Sequence, residues 1–379
     1  MSNPPKTLVI LTPAFPGNES ETHWVPTQQL FVKALKEQYP DLHIIVLSLY
    51  YPYPSSVYKW HGVPVISFNG TRQRKIRRVF FWNDIWQQLK KIRREQEVIG
   101  LFSFWCGECA LIGHYFGRYH GLRHLCWICG QDARATNGMV RLIHPRGEEL
   151  IAMSDFLAEE FAANHGVRPR YTIPNGIDPG RFPSLSSVRD SRSGVSADTP
   201  PPSAMDAGAA LAAKQRDIDI LGVGSLSRLK RYDLLVEIVR SLRPTFPGIR
   251  AMLCGDGEEK EALQAQIAAN GLENNFCLTG ERPHEEVLGL MQRTRVFLHT
   301  SGYEGFGVVC LEALYAGAHV ISFCRPMQRD IPHWHIVRDM PDMALKAAAL
   351  LLNSSTEYTP VLPYRMEESV REVMQLFGV

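Results

Sequence analysis

The chain has 379 residues, 45% of them hydrophobic and 21% charged, with 41 Lys and Arg against 39 Asp and Glu. A net charge of +2 excludes a generally basic nucleic-acid binder and leaves room only for a local basic patch. An aromatic content of 10% excludes disorder of the whole chain, and at about 150 residues per domain the length predicts two domains or three.

The elements follow in order. Met1 to Lys6 holds two prolines and lacks the basic-then-apolar layout of a signal peptide. No apolar run approaches the ~18 residues that span a bilayer. The expectation is therefore a cytoplasmic protein whose eight cysteines stay reduced. Thr7 to Thr12 reads as a buried strand. Gln28 to Gln38 reads as a helix, with Leu30, Phe31, Ala34 and Leu35 at helical spacing. His43 to Leu49, Val63 to Phe68, Ile99 to Trp105, His124 to Cys129 and Leu150 to Ser154 repeat the strand signal. Ser184 to Lys214 is rich in Ser, Ala and Pro and holds no Trp, Tyr or Phe, so it predicts a disordered loop. Beyond it, Asp217 to Gly224, Ile249 to Cys254, Phe276 to Gly280, Val296 to Thr300 and His319 to Phe323 read as strands. Leu234 to Leu242 and Lys260 to Ala269 read as helices between them. Such alternation implies βαβ units and mostly parallel sheets, one on each side of the loop. Ligands of these sheets bind beyond the carboxyl ends of the strands.

The most informative stretch is His299 to Ala318, HTSGYEGFGVVCLEALYAGA. A strand gives way to a turn with Gly302, Gly305 and Gly307, and then to an apolar helix. The glycines let a ligand approach the backbone, and the helix N-terminus offers free N–H groups to a phosphate or diphosphate. Glu304 in the turn and Glu312 in the helix could accept hydrogen bonds from sugar or ribose hydroxyls.

This stretch, Glu304-Gly-Phe-Gly followed by Glu312-Ala313 and Gly317, resembles the Glu-x7-Glu signature of retaining glycosyltransferase family 4. Other matches fall in order. Ile173-Pro-Asn-Gly-Ile-Asp178 with Phe182 is similar to the family's hinge, Gly222 to Asp233 (GVGSLSRLKRYD) to its phosphate loop, and Gly255-Asp-Gly257 and Thr279-Gly280 also match. The N-terminal half matches loosely, through Met153-Ser154 and Gly130-Gln-Asp132. The resemblance implies an α/β chain of GT-B fold, with two Rossmann-like domains facing across a central cleft. It places an acceptor domain at 1–180, the low-complexity loop at 184–214 and a nucleotide-sugar domain at 215–379. It also implies that Met366 to Leu376 crosses back onto the first domain.

The implied activity is retaining transfer of a sugar from a nucleotide-diphosphate donor to an acceptor hydroxyl, lipid-linked or glycan, with no cofactor and no metal. Glu304 and Lys230 are the implied catalytic residues. Glu304 contacts hydroxyls of the moving sugar, and Lys230 sets a charge on the diphosphate. Glu312 is implied to bind the ribose, and the backbone of Gly302, Gly305, Phe306 and Gly307 the diphosphate. Asn175 lies in the hinge motif, and Gly280 and Arg282 in the stretch that meets the base. Gly17, Cys129 and Asp132 belong to the acceptor side. The family's usual Arg after the phosphate-loop glycine is Ser225 here, with Arg228 or Arg231 as compensating cations. Its usual His is Cys129. These departures support one rival, a GT-B binding scaffold without catalysis; a sugar phosphorylase is the other alternative.

Two features stand outside the resemblance. Cys106-x2-Cys109 and Cys126-x2-Cys129 have the spacing of a four-cysteine zinc motif. Cys126 and Cys129 lie in a predicted strand, however, where positions three apart point to opposite faces, so buried free thiols are expected. Arg72, Arg74, Lys75, Arg77, Arg78, Lys90, Lys91, Arg93 and Arg94 surround a single acid, Asp84, with Phe80, Phe81, Trp82, Ile85, Trp86 and Leu89 between. This pattern predicts an amphipathic helix. Its basic face suits peripheral contact with an anionic membrane, and no nucleic-acid motif accompanies it. His23, His114, His284 and His299 receive no assigned role.

Overall fold

The computed structural model describes residues 5–22, 25–53, 55–70, 75–183 and 216–379. The segment Ser184 to Lys214 and residues His23, Arg72 and Arg74 lie outside them. The chain divides into two units. Unit 1 comprises Met1–Asp178, Pro326–Gln328 and Tyr364–Val379; unit 2 comprises Pro179–Arg325 and Arg329–Pro363. Among the described residues, no helix is long and apolar enough to cross a membrane.

Unit 1 is built on an eight-stranded sheet in the order β3-β4-β2-β1-β5-β6-β7-β8. The strands are β1 (Lys6–Ala14), β2 (His43–Tyr51), β3 (Ser56–Trp60), β4 (Val63–Ser67), β5 (Glu97–Phe104), β6 (Arg123–Ile128), β7 (Leu150–Ala152) and β8 (Tyr171–Thr172). All pairs are parallel except β3 with β4. The central strands are continuous apolar runs, as a sheet covered on both faces requires; Leu8 to Leu11 are fully buried. Helices α1 (Pro26–Gln38), α2 (Lys75–Glu95), α3 (Glu108–His120), α4 (Val140–Ile143) and α5 (Asp155–His165) follow their strands. The predicted amphipathic helix is α2. It turns Phe81, Ile85, Leu89 and Ile92 into the core and leaves Val79 and Phe80 exposed.

Unit 2 carries six parallel strands, β9 (Ile218–Val223), β10 (Ala251–Cys254), β11 (Phe276–Gly280), β12 (Thr294–His299), β13 (His319–Ser322) and β14 (Trp334–Ile336). Their order is β11-β10-β9-β12-β13-β14. Counted within the unit this is 3-2-1-4-5-6, the doubly wound nucleotide-binding order, with its switch point between β9 and β12. Helices α6 (Tyr232–Leu242), α7 (Lys260–Ala269), α8 (His284–Gln292), α9 (Val308–Tyr315) and α10 (Met340–Leu352) complete it. Helix α6 buries Leu235, Val236, Ile238, Val239 and Leu242 in one core with Leu253 and Leu298.

The last helix, α11 (Met366–Leu376), belongs to unit 1 and packs on α1. It buries Met366, Ser369, Val370, Val373 and Met374. Ser369 Oγ donates to the Pro174 carbonyl at 2.7 Å. Phe377 lies so close to β5 that a Cβ on Gly100 would stand 2.5 Å from its ring.

Candidate active site

The switch point of unit 2 brings together the loops after β9 and β12. The first loop winds through a short 3-10 turn, Arg228–Lys230, and Thr300 Oγ1 donates to the Lys230 carbonyl at 2.7 Å. The second is the glycine turn ahead of α9, whose N-cap, Gly307, has φ 78°. Lys230 and Glu304, 74 positions apart in sequence, meet in an ion pair of 2.6 Å. His299, at the end of β12, stands 3.3 Å from the same Glu304 oxygen. Burial alone would raise the Glu304 carboxyl, but the His299 hydrogen bond and the Lys230 charge outweigh it and hold it down at about 2.

That shift has a testable sign. A carboxyl whose folded pKa lies below its unfolded value contributes stability above the unfolded pKa and loses it as the pH falls through the folded one. The stability of the wild-type chain over Glu304→Gln should therefore be steady above about pH 5 and vanish between 4.5 and about 2. Denaturant unfolding of both chains across that range checks it; a difference that survives to pH 2 contradicts the pairing.

Glu312 is buried inside α9, and its Oε1 lies 2.8 Å from Nε2 of His284, the first residue of α8. The floor of the site is braced from below. Burial pushes the Cys324 thiol up to about 11, and it donates to the Ser301 carbonyl at 3.3 Å. The loops after β9, β10 and β11 are joined through the backbone: Gly224 N–H donates to Cys254, Leu226 N–H to Asp256, and Gly255 N–H to Gly280.

The remaining donor-side residues take different places. Phe306 is buried, whereas Gly302 and Ser225 are exposed. Arg228 shares the turn of Lys230, but its side chain is 88% exposed and paired with Glu259 at 3.1 Å. Arg282 is exposed and stands 3.6 Å from Glu286. Arg231 lies nearer the turn: its side chain is the neighbour of Gly302, and its guanidinium is 6.0 Å from the Phe323 ring. Asn175 is fully buried in unit 1, with neither amide atom partnered among the described residues.

In unit 1 the residues expected on an acceptor side lie at the carboxyl ends of β1 and β6. Gly17 N–H donates to Glu21 at 2.9 Å, and Tyr51 Oη donates to the same carboxylate at 2.9 Å. Asp132 faces the backbone. Its carboxylate accepts from Cys106 N–H at 2.8 Å, Gly130 N–H at 2.7 Å and Cys129 N–H at 3.1 Å. Burial raises its pKa and these donors oppose the rise. Asp132 is thus a clamp that ties the loops after β5 and β6. Cys129 accepts from Gln28 at 3.8 Å, and burial pushes its thiol up. Cys106, Cys109 and Cys126 are buried free thiols. Glu21, His284 and His299 gained no role from sequence reasoning. The only signal was His299's adjacency to the glycine turn; the others meet their partners through the fold.

Residues 207–333, which include Lys230, Glu304 and Glu312, match the model of the family described as glycosyl transferases group 1. The 2-deoxystreptamine N-acetyl-D-glucosaminyltransferase of Niallia circulans is 32% identical over 103 residues, 27% of this chain and 26% of that protein. Glycogen synthase of Mycobacterium tuberculosis is 26% identical over 204 residues, 53% of this chain and 43% of that protein. The matches therefore span less than half the length of these curated relatives. The crystal structure of HepE of Anabaena in complex with UDP superposes with a TM-score of 0.64 at 16% identity, covering 98% of this chain and 95% of that one. Likeness at that identity speaks for the fold. The chain has the GT-B fold of two Rossmann-like units, and the second unit carries a stretch similar to the glycosyl transferases group 1.

Proposed function

We propose that the chain is a retaining glycosyltransferase that moves a sugar from a nucleoside-diphosphate donor to an acceptor hydroxyl. The observation that carries this reading is the Lys230–Glu304 pair at the switch point of unit 2, with Glu304 in the glycine turn that leads into α9. Lys230 and the N–H groups at Phe306 and Gly307 neutralise the leaving diphosphate, so no metal is needed there. Glu304 accepts from hydroxyls of the transferred sugar, and Glu312 from the ribose. The bond from the anomeric carbon to the diphosphate oxygen breaks, the acceptor oxygen bonds on the same face, and its proton passes to the departing phosphate. The sugar-transferase name of the Niallia circulans relative, and the UDP held by HepE, support a nucleotide donor.

Thermal unfolding against UDP, GDP, ADP and dTDP, with and without magnesium, tests it. A nucleotide at about 100 times its Kd stabilises the folded state by ~2.7 kcal/mol. One nucleotide should do so without magnesium, and Glu312→Ala should abolish the effect. No shift with any of the four would sink the proposal.

The exposed rim of unit 1 supports a peripheral lipid contact in the same reading. Val79 and Phe80 on α2 are 61% and 65% exposed, Val57 on β3 is 76% exposed, and exposed Arg77 lies beside Phe80. Apolar side chains amid cations are the composition of an interfacial anchor. Pelleting with phosphatidylglycerol vesicles should occur at low salt and weaken at high salt, where screening is stronger. Phe80→Ser should reduce it; absence of pelleting at low salt refutes the contact.

A further inference from the structure

Unit 1 has a second concavity, at the edge of its sheet opposite the loops of Gly17, Cys129 and Asp132. It lies where β6, β7 and β8 begin, roughly 17 Å along β6 from that strand's carboxyl end at ~3.3 Å per residue. Its volume is about 630 Å³, within the range of small-molecule sites. Four arginines line it: Arg118 from the last turn of α3, Arg123 from the start of β6, Arg146 from the turn before β7, and Arg170 from the residue before β8. Arg146 pairs with Glu148 at 3.4 Å and Glu149 at 3.6 Å. Arg118, Arg123 and Arg170 have no carboxylate partner among the described residues. Glu148 and Glu149 are the acids of the lining, which leaves a surplus of two positive charges.

The buried wall adds two imidazoles to the lining. His114 is 1% exposed and His124 6% exposed. Each lines the concavity and also a smaller neighbouring cavity: Nδ1 of His114 lies 3.4 Å from Glu149 and Nε2 of His124 2.8 Å from Ser103, and the other nitrogen of each ring has no partner among the described residues. Buried polar atoms are rarely left unpaired without cause. The C-terminal dipole of α3 opposes an anion here, but it is worth about half a charge against the surplus of two. Guanidinium forks suit phosphate oxygens, which they bind in pairs.

We propose that this concavity is a binding site for a small phosphate-bearing molecule, separate from the sugar-transfer residues and independent of that reading. The phosphate could be free or carried on a lipid headgroup; the chemistry of recognition is shared.

Isothermal titration of the full chain with inorganic pyrophosphate tests it, using Lys230→Ala to weaken the phosphate contacts proposed for unit 2. Saturable binding should persist in Lys230→Ala. It should weaken about tenfold or more when Arg123→Ser and Arg170→Ser are added, the loss expected for charge-assisted contacts. Arg118→Ser alone should weaken it in the same direction, which keeps the test open if the multiple variant unfolds. Flotation with phosphatidylcholine vesicles, with and without phosphatidic acid, separates the sources. Arginine-dependent binding only to the acid vesicles assigns a headgroup, and in free solution a soluble phosphate. Pyrophosphate binding that vanishes in Lys230→Ala, or that ignores the arginine substitutions, together with vesicle binding indifferent to them, overturns the proposal.

Discussion

Lys230→Ala is expected to lower kcat for sugar transfer by about 10²–10³-fold, the usual loss when one preorganised donor to a developing charge is removed. The lysine is positioned from both ends. Thr300 fixes its backbone carbonyl, and Glu304 fixes its ammonium at 2.6 Å. Its side chain is 21% exposed, so its charge acts in a partly desolvated setting. In the proposed reaction, negative charge grows on the departing diphosphate oxygens, which the lysine would meet only by sharing itself with Glu304. The ground-state diphosphate already carries charge, so donor Kd should rise less than kcat falls. Steady-state kcat with donor affinity from titration checks the split. An unchanged kcat with a raised KM would make Lys230 a binding residue alone. Lys230→Ala also leaves Glu304 with His299 as its remaining partner. Lys230→Ala combined with Glu304→Gln should therefore cost less than the sum of the two, as directly coupled partners do.

The largest stability effect is expected at Gly255. Its φ is +149°, and an added Cβ would stand 1.9 Å from the Gly224 carbonyl oxygen, a backbone atom with little freedom to yield. Gly255→Ala must push apart the loops after β9 and β10, and it strains its own backbone as well. A loss of about 3 kcal/mol or more is expected. Gly248→Ala is the matched control. Nothing lies within 4 Å of its added Cβ, and its φ is not in the left-handed region. Urea unfolding of the two variants decides the matter; equal midpoints would refute the crowding argument. Because the displaced loop carries Lys230, transfer activity should fall with stability in Gly255→Ala.

The central strands were legible because both faces are covered, so they read as apolar runs, as Leu8 to Leu11 do; the edge strand β11, with Cys277 exposed, was legible without such cover. The misses are edge strands. In β3, Val57 is 76% exposed and Trp60 is buried, so no such run forms. Its hairpin to β4 turns on His61 and Gly62, both with positive φ. The turn signal sought in a sequence is Asn or Asp before Gly, and His hides it. In the candidate site, Glu304 and Glu312 stood out because a glycine-rich turn and the helix after it carry them, whereas Lys230 was named only through the family resemblance. The imidazoles beside the glutamates did not. His284 reaches Glu312 from 28 positions away, and only the docking of α8 beside α9 brings them together. Asp132 illustrates the opposite limit. A loop aspartate beside glycine suits a ligand or a backbone clamp equally, and only the positions of three N–H donors decide which.

The membership of α11 in unit 1 has a consequence for how the chain is made. Ribosomes emit about 5–20 residues per second, and the leading domain of a multidomain chain ordinarily closes first. Here the leading unit is complete in its sheet once Asp178 has emerged, yet the α11 side chains that cover α1 and the Phe377 ring beside Gly100 do not exist. Roughly 200 residues must follow, a wait of about 10–40 s at that pace. Unit 2, apart from the three residues Pro326–Gln328, is continuous from Pro179 to Pro363 and meets no such delay. The nascent chain therefore holds an uncovered apolar patch on unit 1 while unit 2 is still being translated, and the helix that covers the patch follows unit 2.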